Sequence, residues 1–266
     1  MIAFPKAKIN IGLRVLRKRE DGYHDIQSLM YPIPLCDILE VIPSSQMRYD
    51  FGQLDFEGAP EDNLVVKAYH ALKNLYSDLP PVEIILRKRI PTGAGLGGGS
   101  SDATNMLLIL KRLFSLDVSV ENLHALATQL GADCPFFLSE EPQIAEGIGE
   151  KLSPISLDLK GKWLTLLTSD IHIHTGKAYS KITPSDKGEE LSALLSQPIK
   201  DWKYRVINDF EIPIFEEYPI LAKGKQMLYD AGADYASMSG SGPTLYGISD
   251  APLNLDWAGN IYSLEL

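Results

Sequence analysis

Only two cysteines occur in this chain, Cys36 and Cys134, far apart and without metal-type spacing, so the sequence supports neither a disulfide framework nor a cysteine-built metal site. It also lacks an excess of positive charge. With 35 acidic against 25 basic residues the formal net charge is −10, which argues against a nucleic-acid surface or a polybasic membrane anchor. A small anionic ligand stays compatible with that total, because its site is set by local fields. No apolar run approaches the roughly 18 residues of a membrane helix, and no repeat or low-complexity tract is present. The opening "MIAFPKAKIN" has neither the apolar core of a secretory signal nor the Arg/Ser-rich character of a transit peptide. These absences lead to the expectation of a reducing, cytoplasmic compartment, with no nucleic-acid partner and no membrane.

What is present is a chain of 266 residues that is 45% apolar, enough for one large domain or two smaller ones. Alternation from Ala7 to Leu13 predicts a half-buried strand, with Lys8, Asn10 and Gly12 on its polar face. Strands are also expected at 38–42 and 82–90. Helices are expected at 64–75, 102–114 and 120–130, the last ended by Gly131. After Lys151 the pattern restarts with a strand at 163–168, helices at 175–182, near Leu191, near Tyr204 and at 220–230, and a hairpin in "ADYASMSGSGPTLYGI". The first half thus mixes strands and helices, and a domain boundary is expected near residue 152, separating 1–152 from 153–266.

The most informative stretch is "IPTGAGLGGGSSDAT", whose glycines run directly into the apolar-periodic "NMLLILKRLF". Glycine lets a backbone approach a ligand closely and accept positive φ, and a helix start presents free amides and a positive dipole end to an anion. Ser100 or Ser101 would cap a helix whose stripe is Ala103, Leu107, Leu110 and Phe114. Arg87, Lys88 and Arg89 add a local positive field. The segment thus predicts a phosphate cradle, the alternative being a flexible turn beside a solvated cationic strand. Asp102, in the first turn, would repel a phosphate unless Mg²⁺ lay between them. No Lys-Ser or Lys-Thr follows the last glycine, so the Walker pattern fails. Gly93, Gly95 and Gly98 satisfy G-x-G-x-x-G with Asp117 beyond, but "SLDVSVENL" reads as a turn into a helix where a dinucleotide fold needs a strand.

"PTGAGLGGGSSDA", together with "AKINIGLRVLRKREDGYHDIQSL", "EDNLV", "LGADCPFFL", "AEGIGEKL", "NDFE" and "SMSGSGPTLYGI" in that order, resembles the motif series of the GHMP kinases, the superfamily of galactokinase, homoserine kinase and mevalonate kinase. Within it the likeness is to the branch acting on a diphosphocytidyl sugar alcohol in the non-mevalonate route to isoprenoid precursors. The resemblance implies a two-domain α+β kinase using ATP with Mg²⁺. Its active site would lie in the cleft between the domains, and its last strand may return to the N-terminal domain. The expected partners are a cytidylyl diphosphate sugar alcohol as small-molecule acceptor and at most a second copy of the chain, as a monomer or weak homodimer.

The same resemblance assigns roles to residues. Asp133 matches the base that takes the acceptor hydroxyl's proton, the alternative being a cap for the turn through Pro135. Lys8 matches the lysine that accompanies it, and Asn10 lies on the same strand face; the alternative is a solvated edge. Tyr23 and His24 in "DGYHDIQS" match positions that recognise cytosine, by stacking and by hydrogen bonding to a ring edge. Pro91, Gly93, Gly95, Leu96, Gly97, Gly98, Gly99, Ser100 and Ser101 would hold the nucleotide's phosphates. Asn63 and Lys88 would lie near the adenine, although an N-cap role for Asn63 accounts for it equally. Thr175 and Gly240, the latter in the second glycine turn 239–242, would face the acceptor. His172 and His174 are two apart, but without a third ligand they read as strand histidines, and no protein ligand for a metal is assigned; Asp102 and Ser100 remain the candidates for Mg²⁺.

Overall fold

The computed structural model describes residues 1–52 and 59–266. In chain order the first half contains β1 (Ile2–Ala3), β2 (Lys6–Lys18), β3 (His24–Cys36), β4 (Ile38–Pro43), β5 (Arg48–Asp50), α1 (Leu64–Leu75), β6 (Val82–Arg87), α2 (Gly98–Leu113) and α3 (Val120–Leu130). There follow β7 (Gln143–Gly147), β8 (Lys151–Pro154), β9 (Trp163–Leu167), α4 (Thr175–Tyr179), α5 (Leu191–Leu195), α6 (Glu211–Glu217), α7 (Pro219–Asp230), β10 (Tyr235–Met238), β11 (Leu245–Ser249) and β12 (Ile261–Glu265). The class is α+β, as expected. The chain forms two compact units interleaved in sequence: Met1–Ala7, Leu35–Thr92 and Gly97–Glu140 make the first, and Lys8–Pro34, Gly93–Leu96 and Glu141–Leu266 the second. A single cut near residue 152 therefore matches neither unit, because local sequence patterning cannot show that the N-terminal strands belong with the C-terminal half.

In the first unit a sheet of order β1-β4-β6-β5 is covered by α1, α2 and α3. The register Ile38↔Arg87 to Pro43↔Val82 puts Leu39, Val41, Ile84 and Leu86 on the helix side, where they join Val66, Leu72, Leu107, Leu110 and Leu126 in one core. The helix limits of α1 and α3 follow their caps: Asn63 Oδ1 accepts from Val65 N at 3.0 Å, and Ser119 Oγ from Asn122 N at 3.2 Å.

The second unit holds the sheets β10-β11-β9-β12 and β2-β3-β7-β8. β10 and β11 form the expected hairpin, from Tyr235↔Ile248 to Met238↔Leu245. β12 pairs with β9 from Ile261↔Leu167 to Glu265↔Trp163, so the last strand closes a sheet of this unit. β2 is longer than its alternation suggested and is buried on both faces from Ala7 to Leu13, Lys8 and Asn10 included. β3 escapes sequence reasoning because Pro32 and Pro34 interrupt it; both lie beyond Ile26–Met30, the part registered with β7, where no donor to that neighbour is required. Near Tyr204 there is a short 3-10 turn, Ile199–Asp201, and the Tyr204 ring itself is exposed.

Leu107 is fully buried at the centre of the first core. Leu107→Ala is expected to lower unfolding free energy by about 2–5 kcal/mol, read from the denaturant midpoint. A loss within the noise of the measurement would show that α2 is not seated as described.

Candidate active site

The glycine stretch is shaped by where the chain must turn. α2 begins at Gly98, with Gly97 as its N-cap in the left-handed region (φ 69°) and no side-chain cap. Its first helical bond runs from Ser101 N to Gly97 O at 2.9 Å, which leaves the amides of Gly98, Gly99 and Ser100 without a helical acceptor. This corrects the expectation that Ser100 or Ser101 caps a helix starting at Asp102. Both serines lie inside the first turn, and the Ser101 hydroxyl is buried without a hydrogen-bond partner. The early start is a tertiary effect that overrides glycine's poor helix propensity. A Cβ on Gly98 would stand 2.8 Å from Ile90 Cγ2 and 3.1 Å from Lys88 Nζ, so only glycine lets the turn pack that closely.

Beneath this turn lies a buried cluster of three charges. Lys88 Nζ donates to Asp102 Oδ2 at 2.7 Å and to Asp37 Oδ2. Asp37 Oδ1 in turn accepts from the backbone amides of Arg89 at 2.5 Å and Ile90 at 2.9 Å. Burial pushes the Asp102 carboxyl up to about 7, with Asp37 adding to the rise and Lys88 opposing it. Burial pulls Lys88 down, but the two carboxylates outweigh it and hold the ammonium above its usual range. Asp102 Oδ1 is buried with no partner. Asp102 therefore faces Lys88 in the interior, and the residues do not fit the Mg²⁺ role held open for it. No group of three His, Cys, Asp or Glu converges among the described residues, so no step is derived through the metal. Asp37 was not singled out in the sequence; a lone aspartate between two strand-like runs was its only signal.

The segment carrying Asp133 runs beside the same helix start. A Cβ on Gly131 would lie 3.9 Å from Ser100 Oγ, and Thr104 Oγ1 donates to Cys134 O at 2.8 Å. Asp133 stands at the N-cap of a 3-10 turn, Cys134–Leu138, but its side chain makes no capping bond there, so the capping alternative does not account for it. Cys134 is buried, which raises its thiol to about 11 and leaves it unreactive. Asn63 does cap α1, its Oδ1 accepting from Val65 N. Asp117 lies between α2 and α3, its carbonyl accepting from Tyr76 OH at 2.6 Å, so the dinucleotide pattern has no strand to complete it.

In the second unit, Gly93–Leu96 is pinned from two sides. Lys8 N donates to Leu96 O at 2.9 Å, and Lys8 Nζ reaches Asn10 Oδ1 at 2.5 Å and Gly95 O at 3.2 Å. Ser239 Oγ donates to Gly95 O at 2.8 Å, while Asn10 N donates to Ser239 Oγ at 3.2 Å. Gly95 has φ 78°, and a Cβ there would sit 2.1 Å from Ser239 O, so no other residue fits. Lys8 is only 3% exposed, which removes the solvated-edge alternative. The "NDFE" motif braces the second glycine turn. Asn208 Nδ2 donates to Met238 O at 2.7 Å and Gly240 O at 2.8 Å, and Glu211 Oε1 accepts from Met238 N at 2.8 Å. Thr175 Oγ1 and Ser241 Oγ are 3.1 Å apart, joining the start of α4 to that turn.

Tyr23 is 60% exposed at the tip between β2 and β3, and the His24 ring stacks on Tyr179 at 4.9 Å and 17°. Tyr179 was missed in the sequence, since nothing local shows that α4 meets β3. His172 and His174 meet edge-on at 4.8 Å outside any strand, and the His172 ring lies 3.3 Å from where a Gly93 Cβ would be. Among the described residues no helix is long and apolar enough to cross a membrane, and both cysteines are free.

Two family descriptions match the chain, the N-terminal domain of GHMP kinases over residues 63–141 and their C-terminal domain over 190–254. A 4-diphosphocytidyl-2-C-methyl-D-erythritol kinase from Azobacteroides pseudotrichonymphae is 50% identical over 95% of this chain and 94% of its own length. One from Parabacteroides distasonis is 44% identical over 95% and 93%. Among solved structures, a 4-(cytidine 5'-diphospho)-2C-methyl-D-erythritol kinase superposes with a TM-score of 0.84 at 32% identity, covering 99% of this chain and 98% of that one. The Methanococcus jannaschii mevalonate kinase shares the fold at 12% identity, with a TM-score of 0.72 over 100% and 98%.

The raised Asp102 carboxyl has a stability consequence of definite sign. Between the ordinary carboxylate range and about 7 the folded chain keeps a proton that the unfolded chain has released. This group's contribution is therefore full at acid pH and lost as pH rises through about 7. Asp102→Asn cannot ionise, so its denaturant midpoint is expected to fall less than the wild type's between about pH 5 and about pH 8. Parallel pH profiles for the two proteins would contradict the assignment.

Proposed function

This chain belongs to the GHMP kinases, in the branch of the 4-diphosphocytidyl-2-C-methyl-D-erythritol kinases, and on that premise we propose that it transfers the γ-phosphoryl group of ATP to the 2-hydroxyl of 4-diphosphocytidyl-2-C-methyl-D-erythritol. The products are the 2-phosphate and ADP, in the non-mevalonate route to isoprenoid precursors. The enzyme works in the cytoplasm as a monomer or weak homodimer. The observation that carries this reading is 50% identity to such a kinase over 95% of the chain, combined with an uncapped, glycine-lined start of α2.

Phosphoryl transfer needs little covalent work from protein; it needs alignment and compensation of charge. The free amides of Gly98, Gly99 and Ser100 and the dipole of α2 receive the nucleotide's phosphates, within the stretch from Pro91 and Gly93 to Ser101. Asn63 and Lys88 serve the adenine end. The acceptor's hydroxyl proton passes to Asp133 as its oxygen bonds to the γ-phosphorus, and ADP leaves with the pair of electrons from the broken bond. Lys8, oriented by Asn10, supplies positive charge for the forming alkoxide. Tyr23 offers an exposed ring for the cytosine face, with His24 for its edge and the Tyr179 stack holding His24 in orientation. Thr175 and the turn at Gly240 line the rest of the acceptor.

Purified protein with ATP and a panel of alcohols tests the choice of acceptor: the cytidylyl compound is expected to turn over, and turnover of homoserine or mevalonate in its place would reject it. Asp133→Asn should lower kcat by at least about 10²-fold with ATP binding preserved. Tyr23→Ala should raise the KM for the acceptor and spare that for ATP; the reverse pattern would remove Tyr23 from cytosine recognition.

A further inference from the structure

We propose that Asp37, which lies outside every motif considered above, is a positioning residue: acting through Lys88, it and Asp102 bracket the two ends of the glycine loop and hold the first-turn amides of α2 ready for phosphate. The proposal rests on the nucleotide site described under the proposed function and adds what keeps that site in shape.

Asp37 is fully buried between β3 and β4. The contacts of its carboxylate go to one short stretch, the Lys88 ammonium and the amides of Arg89 and Ile90, which is the chain as it enters the loop. Lys88 then spans to Asp102 at 2.7 Å, in the turn where the chain leaves the loop. Three side chains thus connect the entry and exit of a segment with five glycines, at Gly93, Gly95, Gly97, Gly98 and Gly99. Glycine has the most backbone freedom to lose, so a loop of this composition keeps one shape only if its ends are fixed.

Stability alone is a poor reason for such a cluster. Buried ion pairs are often matched or bettered by apolar packing, because desolvation offsets their attraction. Directionality is what they add: charge-assisted hydrogen bonds fix the ammonium against both carboxylates in distance and angle, which apolar contact does not do. The ammonium also lies 3.1 Å from the place of a Gly98 Cβ, so its position sets how the first turn sits on the strand end. Asp37 alone balances Lys88, and Asp102 adds negative charge once it ionises, so the cluster offers no net positive charge and its service to an anion site is geometric.

The test measures binding of a non-hydrolysable ATP analogue and of adenosine by calorimetry, and the acceptor KM by assay, in wild type, Asp37→Asn and Asp102→Asn. Asparagine at 37 keeps an oxygen for the Arg89 and Ile90 amides and turns its NH2 group toward Lys88, so both the charge and the acceptor that face the ammonium are lost. Each variant is expected to bind the analogue about tenfold or more weakly, with adenosine binding and acceptor KM within about twofold of wild type. A purely structural role would lower the folded fraction and leave these constants unchanged, and that result would overturn the proposal. Equal weakening of adenosine and analogue would also overturn it, since the effect would then lie at the base. If a carboxamide variant does not fold, Asp37→Glu, which keeps the charge but displaces it by a methylene, decides: weaker analogue binding with adenosine unchanged supports the bracket, and wild-type affinity for both rejects it. Failure of the wild type to bind the analogue at all would count against the proposed function instead.

Discussion

A helix start leaves its first amides without carbonyl partners, and most helices satisfy some of them with a serine, threonine or aspartate side chain. α2 does not. Its N-cap is a left-handed glycine, the two serines fall inside the first turn, and the aspartate that follows is turned inward to a lysine. The first-turn amides of Gly98, Gly99 and Ser100 thus have no helical acceptor and form the positive end of the helix dipole, an arrangement that suits an anion without any basic residue in the loop. A net charge of −10 does not oppose such an arrangement, because the field at a helix start is local and built from peptide groups.

Keeping those donors unoccupied places demands on the residues around them. Gly98 must lie against Ile90 and Lys88 with no room for a methyl group, and Gly95 must pass the Ser239 carbonyl at a distance that excludes any side chain. Buried polar groups supply the fixing contacts: Asp37 and Lys88 in the first unit, and Lys8, Asn10 and Ser239 in the second. Asp37, Lys8, Asn10 and Ser239 are buried and Lys88 is largely so, all with hydrogen-bond partners, the condition under which a polar interior group is tolerable. Asn208 and Glu211 extend the same logic to the second glycine turn, holding its backbone by side chains from a distant motif.

The tyrosine and histidine at the tip between β2 and β3 are held in different ways. Tyr23 leaves most of its ring exposed although aromatic burial stabilises folding, while His24 is held by stacking on Tyr179. An exposed ring next to an oriented imidazole suits a flat heterocycle better than a small aliphatic alcohol.

Sequence by itself determined the local features whose causes are local. Asn63 and Ser119 set the starts of α1 and α3, the hairpin 235–249 followed from its turn chemistry, and the glycine run with the ordered motifs pointed to a phosphate cradle on an α+β kinase. Tertiary structure decided what depends on partners remote in the chain. It moved the start of α2 back to Gly98, because packing on Ile90 outweighs glycine's low propensity. It buried both faces of β2, carried β3 through two prolines, joined Asp37 to Lys88 and Asp102, and grouped Lys8–Pro34 with the C-terminal half. Periodicity reports one residue's environment from its neighbours in sequence, whereas burial of a charge and the choice of its counter-ion are set by segments that meet only once the chain has folded.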